Sequence, residues 1–258
     1  MKNILKGKRA ITVILLTTVF ITFQNAAKAQ HGGVVISLDD HFVNEWLKAD
    51  SIFYKDYKWK VTFFVSAFGK IKPELQQKLL LLQNEGHEIG YHGTSHINAL
   101  EYLKTHTLDQ YLYDDFTQLQ PMRDMGFKIT SFAYPNGTRN AQTDSAILRK
   151  HFTMLRGVTN KDKATKDMGC FYNGSPLIDG MGMEIHYKYF SPEYMTSLLK
   201  YAHDHNKVLC VYSHKPVLVA DPNQHEVDYA TLKLICDYVT KNNMKFMTMN
   251  QLPQEGNK

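Results

Sequence analysis

The sequence predicts a single-domain α/β protein with seven or eight parallel strands, closed into a barrel. Short β-rich runs alternate with longer helical patterns along the chain, without repeats, low-complexity stretches or a linker. About 229 residues follow an N-terminal leader, which suits one domain with a large core. The polar residues of chemical interest each fall at the C-terminal end of a strand, the rim where barrel active sites are built. A doubly wound open sheet is the competing form, but no G-x-G-x-x-G or P-loop follows a strand.

The leader is read first because it changes the charge balance. Lys2, Lys6, Lys8 and Arg9 form a positive region, Ile11 to Phe23 is apolar, and Ala27-Lys28-Ala29 gives a small-residue cleavage site. Residues 1–29 therefore read as a secretory signal peptide with cleavage near Ala29-Gln30, and residues 30–258 as the domain. The apolar run is short for a transmembrane span, and no cysteine follows it to take a lipid, so no stable membrane anchor is expected. The protein is expected to be secreted or periplasmic. The leader holds five of the 30 basic residues and no acids, so 25 basic face 25 acidic side chains in the remainder. The net charge of +5 belongs to the leader, and a nucleic-acid partner loses its main support. Cys170, Cys210 and Cys236 are an odd set without C-x-x-C spacing, which indicates neither a thiolate metal site nor a disulfide framework.

The elements follow in order. Gly33–Leu38 is a strand, Val43–Asp56 a helix, and Lys60–Ala67 a second strand. Pro73 opens a helix with leucines at helical spacing that stops at Gly86. His87–Tyr91 is a third strand, Leu108–Met125 a long helix, and Ile129–Tyr134 a fourth strand cut by Pro135-Asn136-Gly137. A helix over Gln142–His151 leads to a strand over Met154–Val158, and Thr159–Met183 has no clear period and reads as a long loop. Glu184–Phe190 is read as a strand, and Ser191-Pro192-Glu193 as a helix start. Lys207–Ser213 is a strand, Tyr229–Thr240 a helix and Lys245–Met249 a closing strand.

The chemistry rests on what stands at the strand tips. Val34 to Leu38 is apolar and ends in Asp39-Asp40-His41, and two carboxylates at the tip of a buried strand cost free energy unless something pairs with them. His92 ends the third strand with His96 four residues on, and His214 ends the strand from Lys207. If Thr94–Asn98 opens a helix, His92 and His96 share a face and reach one metal ion, with a carboxylate of the Asp39-Asp40 pair as third ligand. Three protein ligands leave open positions for water and substrate. The other acid is then free as a base, and His214 can protonate a leaving group. A glycosidase pair is the rival, but it wants two separated carboxylates, usually from different strands.

These residues carry a resemblance. Ser37-Leu38-Asp39-Asp40 is similar to the T-F-D-D motif of the polysaccharide deacetylase family (NodB-like, family four carbohydrate esterases), and Gly86-His87-Glu88-Ile89-Gly90-Tyr91-His92-Gly93-Thr94-Ser95-His96 to its G-H-E-I-G-x-H-[ST]-x-x-H segment. Phe132-Ala133-Tyr134-Pro135-Asn136-Gly137 stands where the family has F-R-x-P-Y-G, and Tyr212-Ser213-His214 where it has L-x-H. The resemblance implies a distorted (β/α) barrel and metal-dependent removal of acetyl groups, N- or O-linked, from a carbohydrate. It implies Asp39 as general base, His214 as general acid, and Asp40, His92 and His96 as ligands of a divalent metal, with zinc ahead of cobalt and nickel. By position it also implies Tyr134, Pro135, Asn136 and Arg139 on the substrate and oxyanion side, where the backbone N–H of Asn136 would help stabilise the developing charge.

The sequence also departs from the family. Ala133 stands at the base-orienting arginine, for which Arg139 is the candidate substitute, and Asn136 stands at the usual tyrosine. His41 replaces a glycine and is read as a rim residue. The Asp-Trp motif is missing, which leaves Asp167 and Asp179 as candidate partners of His214. His186, His203, His205 and His225 are read as surface or loop positions. Two other functions stay open: a non-catalytic, carbohydrate-binding relative, and a hydrolase of a non-sugar amide.

Overall fold

The computed structural model describes residues 32–150, 152–160 and 164–255, so the leader lies outside the described residues. Strand β1 (Gly33–Asp40) is buried on both faces until its last residue, as parallel strands under covering helices are. Helix α1 (Val43–Tyr57) turns Val43, Trp46, Ala49 and Phe53 inward. Next come β2 (Val61–Val65), α2 (Pro73–Asn84) and β3 (Glu88–Tyr91). Three short helices follow, α3 (Ala99–Tyr102), α4 (Leu108–Asp114) and α5 (Leu119–Asp124), before β4 (Ser131–Ala133). Helix α6 (Ala141–Leu148) starts at an Asn140 capping box and leads to β5 (Met154–Thr159) and β6 (Leu177–Gly182). The chain continues through α7 (Pro192–Asp204), β7 (Val208–Ser213), a small parallel pair β8 (Lys215–Val217) and β9 (Glu226–Asp228), α8 (Tyr229–Lys241), β10 (Lys245–Met247) and α9 (Leu252–Glu255).

Strands β1 to β7 pair in sequence order, all parallel, and β1 closes on β7 through Gly33↔Val208 to Leu38↔Ser213. The ring is a closed seven-stranded (β/α) barrel. With β7 along one edge of β1, the other edge is shared: β10 takes Gly33–Val35 and β2 takes Ile36–Asp40. This split makes the barrel irregular and leaves Asp39 and Asp40 beside Phe64 and Val65 at the β2 tip.

The start of β3 places a buried carboxylate at the opposite end of the barrel. Glu88 accepts hydrogen bonds from Thr62 Oγ1 (3.0 Å), Ser131 Oγ (2.6 Å) and the Asn250 N–H (2.9 Å). Burial still pushes its pKa up. The glutamate of the G-H-E-I-G stretch thus joins β2, β3, β4 and the C-terminal segment.

Four sequence expectations change. The stretch read as a loop contains β6, and Glu184–Phe190 is irregular. Gly180 and Gly182 weaken the strand pattern of β6, yet they are there to admit large neighbours. A Cβ on Gly180 would stand 2.9 Å from Tyr212 and 3.0 Å from Arg156, and one on Gly182 would stand 2.2 Å from Tyr187. Tyr187 and Tyr189 imitate a strand by alternation but stack on each other above that glycine. The long helix is α4 and α5 with a break at Asp115; Pro121 lacks the N–H that a continuous helix would use. His92 and His96 share no helix, because α3 begins only at Ala99 and His96 has φ 55°.

Candidate active site

The rim of the barrel brings together Asp39, Asp40, His92, His96 and His214, each from the segment that the sequence indicated. Asp39 is the penultimate residue of β1 and is 2% exposed. Its Oδ2 is paired with the guanidinium of Arg156, while Oδ1 has no hydrogen-bond partner among the described residues. Asp40 ends the strand with φ 84°, a left-handed backbone that is costly for a side chain larger than glycine. That turn gives the two adjacent acids different main partners, Arg156 for Asp39 and the histidines for Asp40, although Asp39 Oδ2 also stands 3.9 Å from His92 Nε2. Asp40 Oδ1 stands 3.7 Å from His92 Nε2 and 3.5 Å from His96 Nε2.

His92 is set up as a neutral donor of a lone pair. Its Nδ1 lies 2.8 Å from the Ala133 carbonyl, which can only accept, so Nδ1 carries the hydrogen and Nε2 is free. Burial pushes the His92 pKa down to about 3, against the pull of Asp40. A ring nitrogen fixed by a backbone carbonyl on its far side is the usual arrangement of a metal-bound histidine. Tetrahedral ligands at about 2.1 Å from a zinc ion stand about 3.4 Å from one another, close to the Asp40–histidine distances. One oxygen and two imidazole nitrogens suit a divalent cation of the zinc, cobalt or nickel kind. The residues therefore fit the metal that the resemblance implies.

His96 reaches the cluster from a loop held by Asp115, which explains the break between α4 and α5. Asp115 Oδ1 accepts from the Ser95 N–H at 2.9 Å, and its carbonyl accepts from the Thr94 N–H and the Tyr91 hydroxyl. A buried acid between two helices acts here as the mould of the ligand loop.

His214 lies across the rim, with its carbonyl accepting from Trp46 Nε1 at 3.1 Å. Its Nδ1 is 2.8 Å from Glu184 Oε1, which also accepts from the His214 N–H and the Ser213 hydroxyl. Burial works against charge on both partners, but the contact outweighs it: the Glu184 pKa is lowered and that of His214 is raised. Asp39 and Asp40 add to the upward pull on His214. A histidine whose protonated form is favoured by neighbouring carboxylates is suited to giving a proton.

The remaining candidates divide. Pro135 is buried, and Asn136 is exposed at the rim with φ 57°. Tyr134 points away, its ring in the core and its hydroxyl 2.8 Å from Asp144 Oδ1. Arg139 does not take the place of the family arginine, since it pairs with Asp144 at 2.8 Å and Asp179 at 3.5 Å. Asp179 is thereby occupied, Asp167 is exposed, and the partner of His214 is Glu184. His41 is an exposed rim residue, its ring on Phe42.

Sequence reasoning missed Arg156 and Glu184. Arg156 is the register partner of Ala133 on the adjacent strand, so the arginine has moved one strand sideways and reaches the same carboxylate. It is 1% exposed, between the rings of Phe64 and Tyr212. A lone cation in the apolar run Met154–Val158 was the available signal, because a buried charge needs a partner.

A parallel barrel whose rim groups Asp40, His92 and His96 beside a buried carboxylate and a histidine–glutamate pair is suited to hydrolysis. The chain belongs to the polysaccharide deacetylase family, whose profile matches residues 26–155. This membership makes it a carbohydrate deacetylase, in a family that generally uses a divalent metal. The curated proteins include no match to the sequence. Among solved structures, the chitin deacetylase of the fungal pathogen Colletotrichum lindemuthianum aligns with 15% identity and a TM-score of 0.53, over 86% of this chain and 88% of that one. A family 4 carbohydrate esterase from Streptomyces lividans, in complex with acetate, gives 14% identity and a TM-score of 0.55 over 88% and 97%. A peptidoglycan N-acetylglucosamine deacetylase gives 18% and 0.55 over 87% and 92%. At these identities the likeness speaks for the shared fold.

Replacing Asp115 tests the mould. Asp115→Ala is expected to weaken cation binding at Asp40, His92 and His96 about 10- to 100-fold, read by calorimetric titration of the folded variant. Unchanged affinity would remove Asp115 from the description of the site.

Proposed function

We propose that the protein is an exported, metal-dependent hydrolase that removes N- or O-linked acetyl groups from a carbohydrate polymer or oligosaccharide. Export rests on the charged, apolar and Ala27-Lys28-Ala29 segments of the leader. The catalytic reading is carried by one observation: Asp39 is tied to Arg156 through one oxygen while the other is buried and unpartnered beside the ligand set.

The residues act in a definite order. Asp40, His92 and His96 would hold a divalent cation, which when bound would supply Lewis acidity beside the acetyl group and the attacking water. Asp39 takes the proton of the attacking water through Oδ1, and Arg156 holds the carboxylate in the orientation that keeps this oxygen free. The N–H of Asn136 faces the developing oxyanion, a task that needs no particular side chain and so tolerates the loss of the family tyrosine. His214 then delivers its proton to the departing amine or alcohol, and Glu184 holds the ring and favours its charged form. The two family residues missing by position, the arginine and the acid of the Asp-Trp motif, have counterparts in Arg156 and Glu184.

Asp39→Asn is expected to reduce acetate release from chito-oligosaccharides, peptidoglycan or acetylated xylan by about 10²-fold or more, while metal content stays unchanged. Loss of metal instead would exchange the roles of Asp39 and Asp40, and full activity would overturn the base assignment. Glu184→Gln removes the main upward influence on His214 and leaves burial, which lowers its pKa. Because the acid must be protonated, activity is lost as pH rises through that pKa. The alkaline limb of the kcat/KM profile should therefore move to lower pH in this variant, and an unmoved limb would show that His214 is not the titrating acid.

A further inference from the structure

We propose a second divalent-cation site, built from Glu184, His186 and His225 and separate from the Asp40, His92 and His96 set. These residues supply one carboxylate oxygen and two imidazole nitrogens that lie within 4.8 Å of one another. Glu184 Oε2 is 3.2 Å from His186 Nδ1 and 3.5 Å from His225 Nδ1. These are the separations of ligands around one zinc-sized ion, about 3.4 Å for a tetrahedral shell.

The contacts do not read as a hydrogen-bonded cluster. Glu184 is 0% exposed, and all three of its hydrogen bonds, from Ser213 Oγ and from the backbone N–H and Nδ1 of His214, end on Oε1. Oε2 has no hydrogen-bond partner among the described residues, and neither has the buried His186 Nδ1. A buried carboxylate oxygen and imidazole nitrogen that face each other at 3.2 Å without a hydrogen bond are costly. A cation between them satisfies both. The His186 and His225 rings stand 4.6 Å apart and nearly perpendicular, and His225 at 68% side-chain exposure gives an entry path from solvent.

The site borders the general acid. The His225 and His214 rings are 4.9 Å apart, and Glu184 joins the two groups, Oε1 on His214 and Oε2 toward the cation. The chemistry of the donors selects a borderline transition cation such as zinc over magnesium or calcium, which prefer all-oxygen shells.

Zinc stoichiometry tests this without reference to turnover. The metal-stripped protein, titrated with zinc and analysed by elemental content after gel filtration, is expected to bind two equivalents. A His186→Ala, His225→Ala variant should bind one, and a His92→Ala, His96→Ala variant should also keep one. The single variant His225→Ala, at an exposed position, guards against misfolding and should lower the affinity of one equivalent at least about 10-fold with an unchanged thermal melt. One equivalent in the wild type, or two in the His186→Ala, His225→Ala variant, would overturn the second site. Failure of the deacetylase reading would show instead as lost acetate release with this stoichiometry intact.

Discussion

The buried ion pair between Asp39 and Arg156 is the interaction on which the rim depends. Neither side chain is more than 3% exposed, and a buried carboxylate without a counter-charge is driven to neutralise or to expel itself toward water. One oxygen is satisfied by the arginine, and the other stays unpartnered beside Asp40 and His92. The surrounding packing serves the same end: Gly180 leaves room for the arginine stem, and Phe64 and Tyr212 face its guanidinium.

Around that pair the backbone carries strain at three rim residues, Asp40, His96 and Asn136, all with positive φ. Such conformations cost of order 1 to 3 kcal/mol each and persist only where the surroundings fix them. Here the strand pairing of β1 with β2 and the Asp115 mould do so. Two independent carboxylates, Asp115 and Glu184, fix the rim histidines: Asp115 holds the loop that carries His96, and Glu184 holds the ring of His214. Rigid strands place Asp40 and His92, and a loop fixed by buried hydrogen bonds brings His96 to them.

Much of this was legible in the sequence. Apolar runs ending in Asp39-Asp40, His92 and His214 placed those side chains on one rim, because parallel strands share one C-terminal end. What escaped was decided across strands. That Arg156 replaces a residue at position 133 follows from the β4–β5 register, and no local pattern encodes a partner 117 residues from Asp39. Glu184 was hidden because its stretch alternates like a strand, while the real strand β6 is interrupted by glycines needed for close packing. His92 and His96 do come together, but a moulded loop brings them together where a helix was expected.

The most direct test is the rate of acetate release by Arg156→Met and Arg156→Lys, with metal content measured on the same samples. Loss of about 10²-fold or more in Arg156→Met at unchanged metal content, with partial recovery in Arg156→Lys, is the expected result. A folded Arg156→Met protein that turns over like the wild type would contradict the role of the ion pair and the assignment of Asp39 as the base.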